Sequence, residues 1–484
     1  MPWIVLWVVM GLLVRSVYAE VPASLRTLLP PGTQVSLIVQ SIHAAEPLYA
    51  WQPDMLRMPA SALKLLTALG ATLYLGHDFR FETRLMIAKG TRHSGTIRGD
   101  LIMQFVGDPS LTRGDLRNLF AQLRAQGISR VTGDVVLDIS AFNGYDRGRG
   151  WSWDDLGICY TAPASAIVVD HNCIKGYLDI GVAGQGSARV RLSTPQAITV
   201  SSQVNVLTRH ASEHEQRFCD LELERLANNH YHLTGCVMQR RHRLPLAFAI
   251  TDPKTYALAM IRDELQATGI HLDGRLRFHQ QPMENMQVLV RHKSLALATF
   301  LQDMLKKSDN LSSEILLKTL GRTYFRQPGS YRNGTEALKS ILMTRAQIDL
   351  KHSYLADGSG LSRYNLLTAR QLLEVLIYIY RHDNALRLLQ HLPIAGVDGT
   401  LQRRRSLRHL KGKVMAKTGT IKQVSSLAGF LTTAQGRKLA FVLLINGYLP
   451  TDDTPMQLKN QRTSPLEQFE YELFTHLFQE NIMP

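Results

Sequence analysis

The sequence predicts an α/β protein whose main sheet is assembled from both ends of the chain, flanked by helices, with strand-rich inserted domains looped out of the middle. Three observations predict it. Strand-forming runs lie near both termini. A long stretch of helical periodicity separates them. Between about residues 81 and 288 the texture changes to short strands and turns. The length of 484 residues exceeds one ordinary core, and 45% hydrophobic with 20% charged residues is a globular composition.

The elements follow in chain order. Residues 3–14 are an apolar run shorter than a bilayer requires, and Val17-Tyr18-Ala19 offers small residues at the two positions a signal peptidase reads. Residues 1–19 are expected to be a cleaved secretory signal, and the protein periplasmic. An uncleaved anchor is the alternative, because no Lys or Arg precedes the apolar run. Residues 35–40 and 48–51 predict a hairpin, with Pro47 ending its turn. Pro59-Ala60 opens a helix over 61–75, where Leu63, Leu66, Leu69 and Leu73 recur at three- and four-residue steps.

From about residue 80, runs such as 101–106 and 135–138 alternate with turn signals such as Gly107-Asp108-Pro109, interrupted by one amphipathic helix near 116–126. Residues 81–288 are expected to form an inserted region of two nested subdomains. It holds all four cysteines, Cys159, Cys173, Cys219 and Cys236. They allow three pairings. Cys159–Cys173 with Cys219–Cys236 closes the shortest loops and is favoured on chain entropy; four buried thiols are the alternative.

Helical periodicity returns at 294–307, 311–325, 335–347, 368–381 and 383–391. Residues 413–420 read as a strand, and 424–432 with 438–446 as a hairpin around Gln435-Gly436. Ser464-Pro465-Leu466-Glu467 is a capping box opening a last helix. Residues 20–80 and 289–484 are therefore expected to form one discontinuous domain.

Three short motifs carry chemistry. In Ser61-Ala62-Leu63-Lys64 the lysine lies one helical turn beyond the serine, so its amine can reach the hydroxyl. A serine hydroxyl becomes a nucleophile only when a base takes its proton, and a lysine serves once its pKa is lowered. No other serine in the chain has Lys three residues on. Ser308-Asp309-Asn310 reads first as a helix cap, and a cap can also fix Ser308 as a proton relay and Asn310 as a holder of Lys64. In Lys417-Thr418-Gly419-Thr420, Gly419 permits close approach of another backbone. Lys417 and Thr418 suit a carboxylate, and the Thr420 N–H suits an oxyanion together with the Ser61 N–H. Each motif alone has a bland reading: a solvated pair, a cap, an edge strand. Their joint occurrence, once each and in this order, is the set of serine penicillin-recognising enzymes.

The chain resembles the low-molecular-mass class C penicillin-binding proteins, the D-alanyl-D-alanine carboxypeptidase/endopeptidases of peptidase family S13. Besides the three motifs, the resemblance rests on Gly150-Trp151-Ser152-Trp153-Asp154-Asp155, Asp357-Gly358-Ser359-Gly360-Leu361-Ser362-Arg363 and Gly396-Val397-Asp398-Gly399-Thr400-Leu401. It implies a serine β-lactamase/transpeptidase-like fold and hydrolysis of peptidoglycan stem peptides without metal or cofactor. Ser61 would form the acyl-enzyme, with Lys64 as base and Ser308 and Asn310 in the proton network. Lys417, Thr418, Gly419 and Thr420 would bind the terminal carboxylate and the oxyanion. The resemblance also implies that Asp155, with Asp154 as its rival, meets the free amine of the peptide's diamino acid. Arg363 would meet the carboxylate at that same end. β-Lactams would inhibit covalently. A β-lactamase, or a non-enzymatic penicillin-binding wall protein, are the alternatives.

The formal net charge of +15 favours an anionic neighbour such as wall polymer or membrane surface. No zinc-finger spacing or RNA-binding aromatic signature supports nucleic acid. His210 and His214, with Glu213 and Glu215 beside them, read as a solvated face rather than metal ligands, and Arg403-Arg404-Arg405 as a surface patch.

Overall fold

A computed structural model of the chain describes residues 23–180, 188–194, 197–208, 210–240, 242–449 and 463–479; the expected signal segment lies outside them. The main sheet is antiparallel and five-stranded. Its strands are β1 (Gln34–Ser41), β2 (Pro47–Trp51), β3 (Val414–Ile421), β4 (Val424–Thr432) and β5 (Lys438–Asn446), in the order β3-β4-β5-β1-β2. β1 pairs with β5 along its length, from Gln34 opposite Asn446 to Ser41 opposite Leu439.

The central strands are apolar on both faces because the sheet is covered on both. Ala440, Val442 and Leu444 face one core, which includes Leu65 and Leu69 of helix α1 (Lys64–Leu75). Leu439, Phe441, Leu443 and Ile445 face a second core with Phe469 and Phe474 of α6 (Pro465–Gln479). On the α1 side pack α2 (Leu297–Lys306), α3 (Asn310–Phe325), α4 (Tyr331–Ala346) and α5 (Ala369–Arg381). α1 is surrounded: nine of its residues, from Lys64 to Thr72, are buried. Gly70 lets α4 come close, since a Cβ there would stand 2.4 Å from Leu338 Cδ1.

The chain leaves the sheet through a strand at Glu82–Ala88 and returns through one at Met286–Lys293, which pair antiparallel. With Leu101–Gln104, Val135–Asp138 and Leu276–His279 they form a second five-stranded sheet. Smaller sheets around Cys173–Asp179 and His230–Met238 enclose their own cluster of Leu178, Ala188, Val204, Leu233 and Val237. Disulfides join Cys159 to Cys173 and Cys219 to Cys236, the shortest-loop pairing.

Three local readings differ from the sequence-based expectation. The stretch taken as strand-rich contains a 15-residue helix, Pro253–Ala267, whose Asp252 cap accepts from the Thr255 N–H. An Asp-Pro start is a helix signal, outweighed in the sequence reading by the surrounding strands. Residues 383–391 do not continue as one helix. A short turn, Asp383–Leu386, ends at Arg387, which adopts a left-handed conformation (φ 48°). Arg404 is not a surface arginine. Its guanidinium pairs with Glu470 of α6, which also accepts from Ser406 Oγ at 2.6 Å. A charged triplet does not reveal which member points inward.

Candidate active site

Ser61 lies in a single 3-10 turn, Ala60–Leu63, that runs into α1. The turn is wedged between two elements distant in sequence. On one side Ser426 Oγ donates to the Pro59 carbonyl at 2.6 Å, and a Cβ on Gly419 would meet Ser426 Oγ at 2.1 Å and the Ser61 nitrogen at 2.7 Å. On the other, Gly360 (φ +84°) packs so closely that a Cβ would stand 1.8 Å from the Ala60 carbonyl oxygen. Ala60 itself holds φ 44°, a conformation costing a non-glycine residue on the order of 1 kcal/mol. The turn that presents the hydroxyl is set by tertiary packing, not by local preference.

Lys64 has no exposed surface. Its Nζ lies 2.9 Å from Ser61 Oγ, 2.7 Å from Asn310 Oδ1 and 2.8 Å from the Ser359 carbonyl oxygen. Burial lowers its pKa to about 8, while the charges of Glu314, Asp357 and Asp309 push it back up. Asn310 opens α3. Before it, Asp309 caps the helix by accepting from the Ser312 N–H at 2.8 Å, and Ser308 takes φ 62° to turn the chain in. Lys417, also fully buried, donates to Ser308 Oγ at 2.9 Å and to the Thr418 carbonyl at 2.7 Å. Burial, then the nearby Lys64 charge, holds its pKa well below the ordinary lysine value. Two lysines therefore share a water-poor site with two hydroxyls, Ser61 and Ser308.

β3 is an edge strand of the sheet. Its outer edge is bonded to residues 393–395 as far as Ala416, whose N–H donates to the Pro393 carbonyl at 2.9 Å; the stretch from Lys417 onward has no such strand beside it among the described residues, which is how an extended peptide can be held by β-augmentation. Thr418 Oγ1 and Thr400 Oγ1 are hydrogen-bonded at 2.7 Å, a hydroxyl pair in which Thr400 can donate and leave the Thr418 proton for a carboxylate. Thr400 belongs to the turn after Asp398, whose carboxylate bonds to Lys306 Nζ at 2.5 Å and to the Ile394 N–H at 2.9 Å. That turn fixes the Thr418 hydroxyl from behind.

Hydrogen bonds link Asp155 and Arg363 to the elements of this site. Tyr160 OH donates to Asp155 Oδ1 at 2.5 Å, and the Tyr160 carbonyl accepts from Asn310 Nδ2 at 2.9 Å. It is Asp155 that joins this network; its neighbour Asp154 is exposed. Arg363 donates to Ser152 Oγ at 3.3 Å and to the Lys422 carbonyl at 3.2 Å, bridging the Asp155 turn and the end of β3. His210 and His214 are exposed.

Four contributors have no place in the motif reading: Tyr160, Thr400, Glu314 and the Ser359 carbonyl. One signal was available. Glu314 stands four residues after Asn310 on a helix, so it shares the face turned toward Lys64. The others act through backbone or through loops remote in sequence, which spacing does not reveal.

A model of the D-Ala-D-Ala carboxypeptidase 3 (S13) family matches residues 23–470. The chain is 38% identical over 452 residues to D-alanyl-D-alanine carboxypeptidase DacB of Haemophilus influenzae, covering 93% of this chain and 92% of that protein. It is 28% identical over 430 residues to a D-alanyl-D-alanine carboxypeptidase of an Actinomadura species, covering 86% and 78%. The crystal structure of penicillin binding protein 4 (dacB) from Haemophilus influenzae superposes with a TM-score of 0.84 at 38% identity, covering 94% of this chain and 99% of that one. Its complex with a β-lactam superposes at 0.80, with 36% identity and the same coverage. The α/β fold with inserted strand-rich units is thus that of the penicillin-binding proteins.

Proposed function

Because this chain belongs to the D-Ala-D-Ala carboxypeptidase 3 (S13) family, we propose that it cleaves peptidoglycan stem peptides through an acyl-enzyme on Ser61, with Lys64 as general base. The protein is a serine-type D-Ala-D-Ala carboxypeptidase. The observation that carries the assignment of roles is the set of three partners around Lys64 Nζ. A neutral amine has two N–H bonds and one lone pair. Asn310 Oδ1 and the Ser359 carbonyl can only accept, so they take the two N–H bonds. The lone pair is left facing Ser61, the one partner with a proton to give.

The steps follow from that arrangement. Ser61 Oγ attacks the carbonyl of the penultimate D-alanine as Lys64 takes its proton. The Ser61 and Thr420 N–H groups receive the oxyanion. Lys64 returns the proton by way of Ser308 to the leaving amine, the C–N bond breaks and D-alanine departs. Lys417, Thr418 and Thr420 hold its carboxylate, and Gly419 lets β3 lie against the Ser61 turn. Water, deprotonated by Lys64, then hydrolyses the ester. Where the leaving amine belongs to a second stem peptide, the same steps amount to DD-endopeptidase action. Asp155 receives the free ammonium of the diamino acid and Arg363 its carboxylate. A β-lactam is attacked at its ring amide and stays attached, in keeping with the relative's β-lactam complex.

The reading places the protein in the periplasm, where its cysteines would be oxidised and its positive charge would face an anionic wall. Among the described residues no helix is long and apolar enough to cross a membrane. We draw the units at 20–80 with 289–484 for catalysis and 81–288 for the inserted region; the separate sheets support two such units, with strand Met286–Lys293 carrying the inserted sheet past 288.

The test has two arms. Fluorescent penicillin should label the parent protein, and Ser61→Ala should lose the label while unfolding at the parent temperature; retained label removes the nucleophile assignment. Mass spectrometry of pentapeptide and cross-linked dimer should show release of D-alanine and of the second peptide. Release of neither would favour the non-enzymatic alternative, and rapid turnover of β-lactam the lactamase.

A further inference from the structure

One ionisable group buried beside the site takes no part in those steps. Glu314, one helical turn beyond Asn310 on α3, has no exposed surface. Both its oxygens are occupied by backbone donors: Oε2 accepts from the Gly358 N–H at 2.8 Å and Oε1 from the Ser359 N–H at 3.1 Å. Burial, with the Asp357 charge beside it, raises the Glu314 carboxyl to about 8, while the two N–H groups aimed at its oxygens and the Lys64 charge pull it back toward the carboxylate.

The N–H and C=O of one peptide unit point in opposite directions, so holding one aims the other. The Gly358–Ser359 unit, held by Glu314 at its N–H, directs its carbonyl to Thr67 Oγ1 on α1 at 2.7 Å. The next unit, held at the Gly360 N–H by Asp357 Oδ1 at 2.9 Å, directs the Ser359 carbonyl to Lys64 Nζ at 2.8 Å. Nothing cushions the segment: a Cβ on Gly358 would lie 2.6 Å from the Ser313 carbonyl oxygen and 2.9 Å from Leu317 Cβ.

We propose that Glu314 is a positioning residue for acyl transfer: it holds the Gly358 and Ser359 N–H groups of the loop whose next peptide unit, itself held by Asp357, presents the carbonyl partner of Lys64, and when ionised it supplies a buried countercharge to that lysine. This rests on Lys64 being the base. The charged and titratable groups turned toward Lys64 are Glu314 from α3, Asp309 from its cap, Asp357 from the loop and Lys417 from β3. Those turned toward Glu314 are Lys64, Asp357, Lys318 one turn further along α3, and Tyr331 of α4. When ionised, Glu314 acts most strongly of the three carboxylates on Lys64, raising its affinity for a proton against the lowering effect of burial.

The experiment is the pH dependence of Ser61 acylation by a chromogenic β-lactam in the parent, Glu314→Gln and Glu314→Asp, with thermal unfolding to verify folding. Glu314→Gln should lower the plateau rate by about 10- to 100-fold, the loss expected from a misplaced reacting group. It should also move the acid limb to lower pH by about 1 unit, as a nearby countercharge is removed. Equal loss at every pH with an unmoved limb would mean a structural role and overturn the proposal, as would an unchanged plateau. If Glu314→Gln does not fold, Glu314→Asp decides. It keeps the charge but withdraws it from the backbone, so the limb should stay and the rate fall; an undiminished rate overturns the proposal. Failure of the underlying reading would look different, because the parent itself would then carry no label on Ser61.

Discussion

Asn310 donates its Nδ2 to the Tyr160 carbonyl at 2.9 Å, and that bond decides which end of its amide faces Lys64. A flipped amide would set an NH2 group against the Lys64 amine and leave two donors opposed. The carbonyl of one loop residue thus sets the orientation of a group at the reaction centre, and that residue follows Cys159, half of the Cys159–Cys173 disulfide.

Opening that disulfide should therefore slow acylation as well as lower stability. The two cysteines are 14 residues apart, and closing such a loop contributes about 3 kcal/mol by the chain-entropy model. The paired Cys159→Ser and Cys173→Ser variant should unfold at lower temperature. Well below that temperature it should still acylate more slowly with a chromogenic β-lactam. Parent-like rates in the folded variant would mean that other contacts hold Tyr160.

The pH profile follows from Lys64. Acylation needs the neutral amine, and burial brings the pKa to about 8. The neutral fraction increases with pH, so the acylation rate should rise about tenfold per pH unit below that value and level off above it. Stopped-flow acylation between pH 5.5 and 9.5 measures this; a rate that falls with rising pH across that range would contradict a lysine base.

Gly419→Ala should damage the site without touching a charged group. The added methyl would meet Ser426 Oγ and the Ser61 nitrogen, so β3 and the nucleophile turn must separate. Overpacking of this kind costs about 1–3 kcal/mol. Unfolding should show that loss, and penicillin labelling should slow by at least about 10-fold, since the carboxylate and oxyanion donors move with β3.

Substitution of Asp155 should separate substrates from inhibitors. A charge-assisted hydrogen bond contributes about 1.5–3 kcal/mol, so Asp155→Ala should raise KM about 10- to 100-fold for peptides with a free diamino-acid amine. Penicillin labelling should hardly change. Tyr160→Phe removes the hydroxyl that caps the Asp155 carboxylate but keeps the carbonyl that orients Asn310. It should lower KM for the same peptides; equal loss for peptide and penicillin would assign both residues to structure.

What could be read in advance divides by the kind of contact. Ser61 with Lys64, Ser308 with Asn310, and Lys417 with Thr418 sit at fixed short spacings, so a helix turn, a cap or a strand dictates their mutual placement. The main sheet was legible because β1 and β5 are apolar on both faces, and only a covered central strand is built so. Glu314, the Ser359 carbonyl and Tyr160 were not legible as partners, because they meet Lys64 and Asn310 through backbone groups that every residue type possesses. Helix Pro253–Ala267 was lost to its strand-rich surroundings, and the inward turn of Arg404 depends on Glu470 of α6, 66 residues away.

The position of β1 between β2 and β5 also governs when activity can arise. The emerging polypeptide makes Ser61 and Lys64 early, but the surfaces that shape their turn, Gly419 and Ser426, are made more than 350 residues later. The inserted sheets can close while β1 and β2 still wait with an open edge, since their partners are nearer in sequence. A chain that stops before Gly419 lacks both surfaces, and the Ser61 turn has nothing on that side to shape it. The nucleophile's shape is thus held in trust by a strand 367 residues further along the chain than the carbonyl it binds.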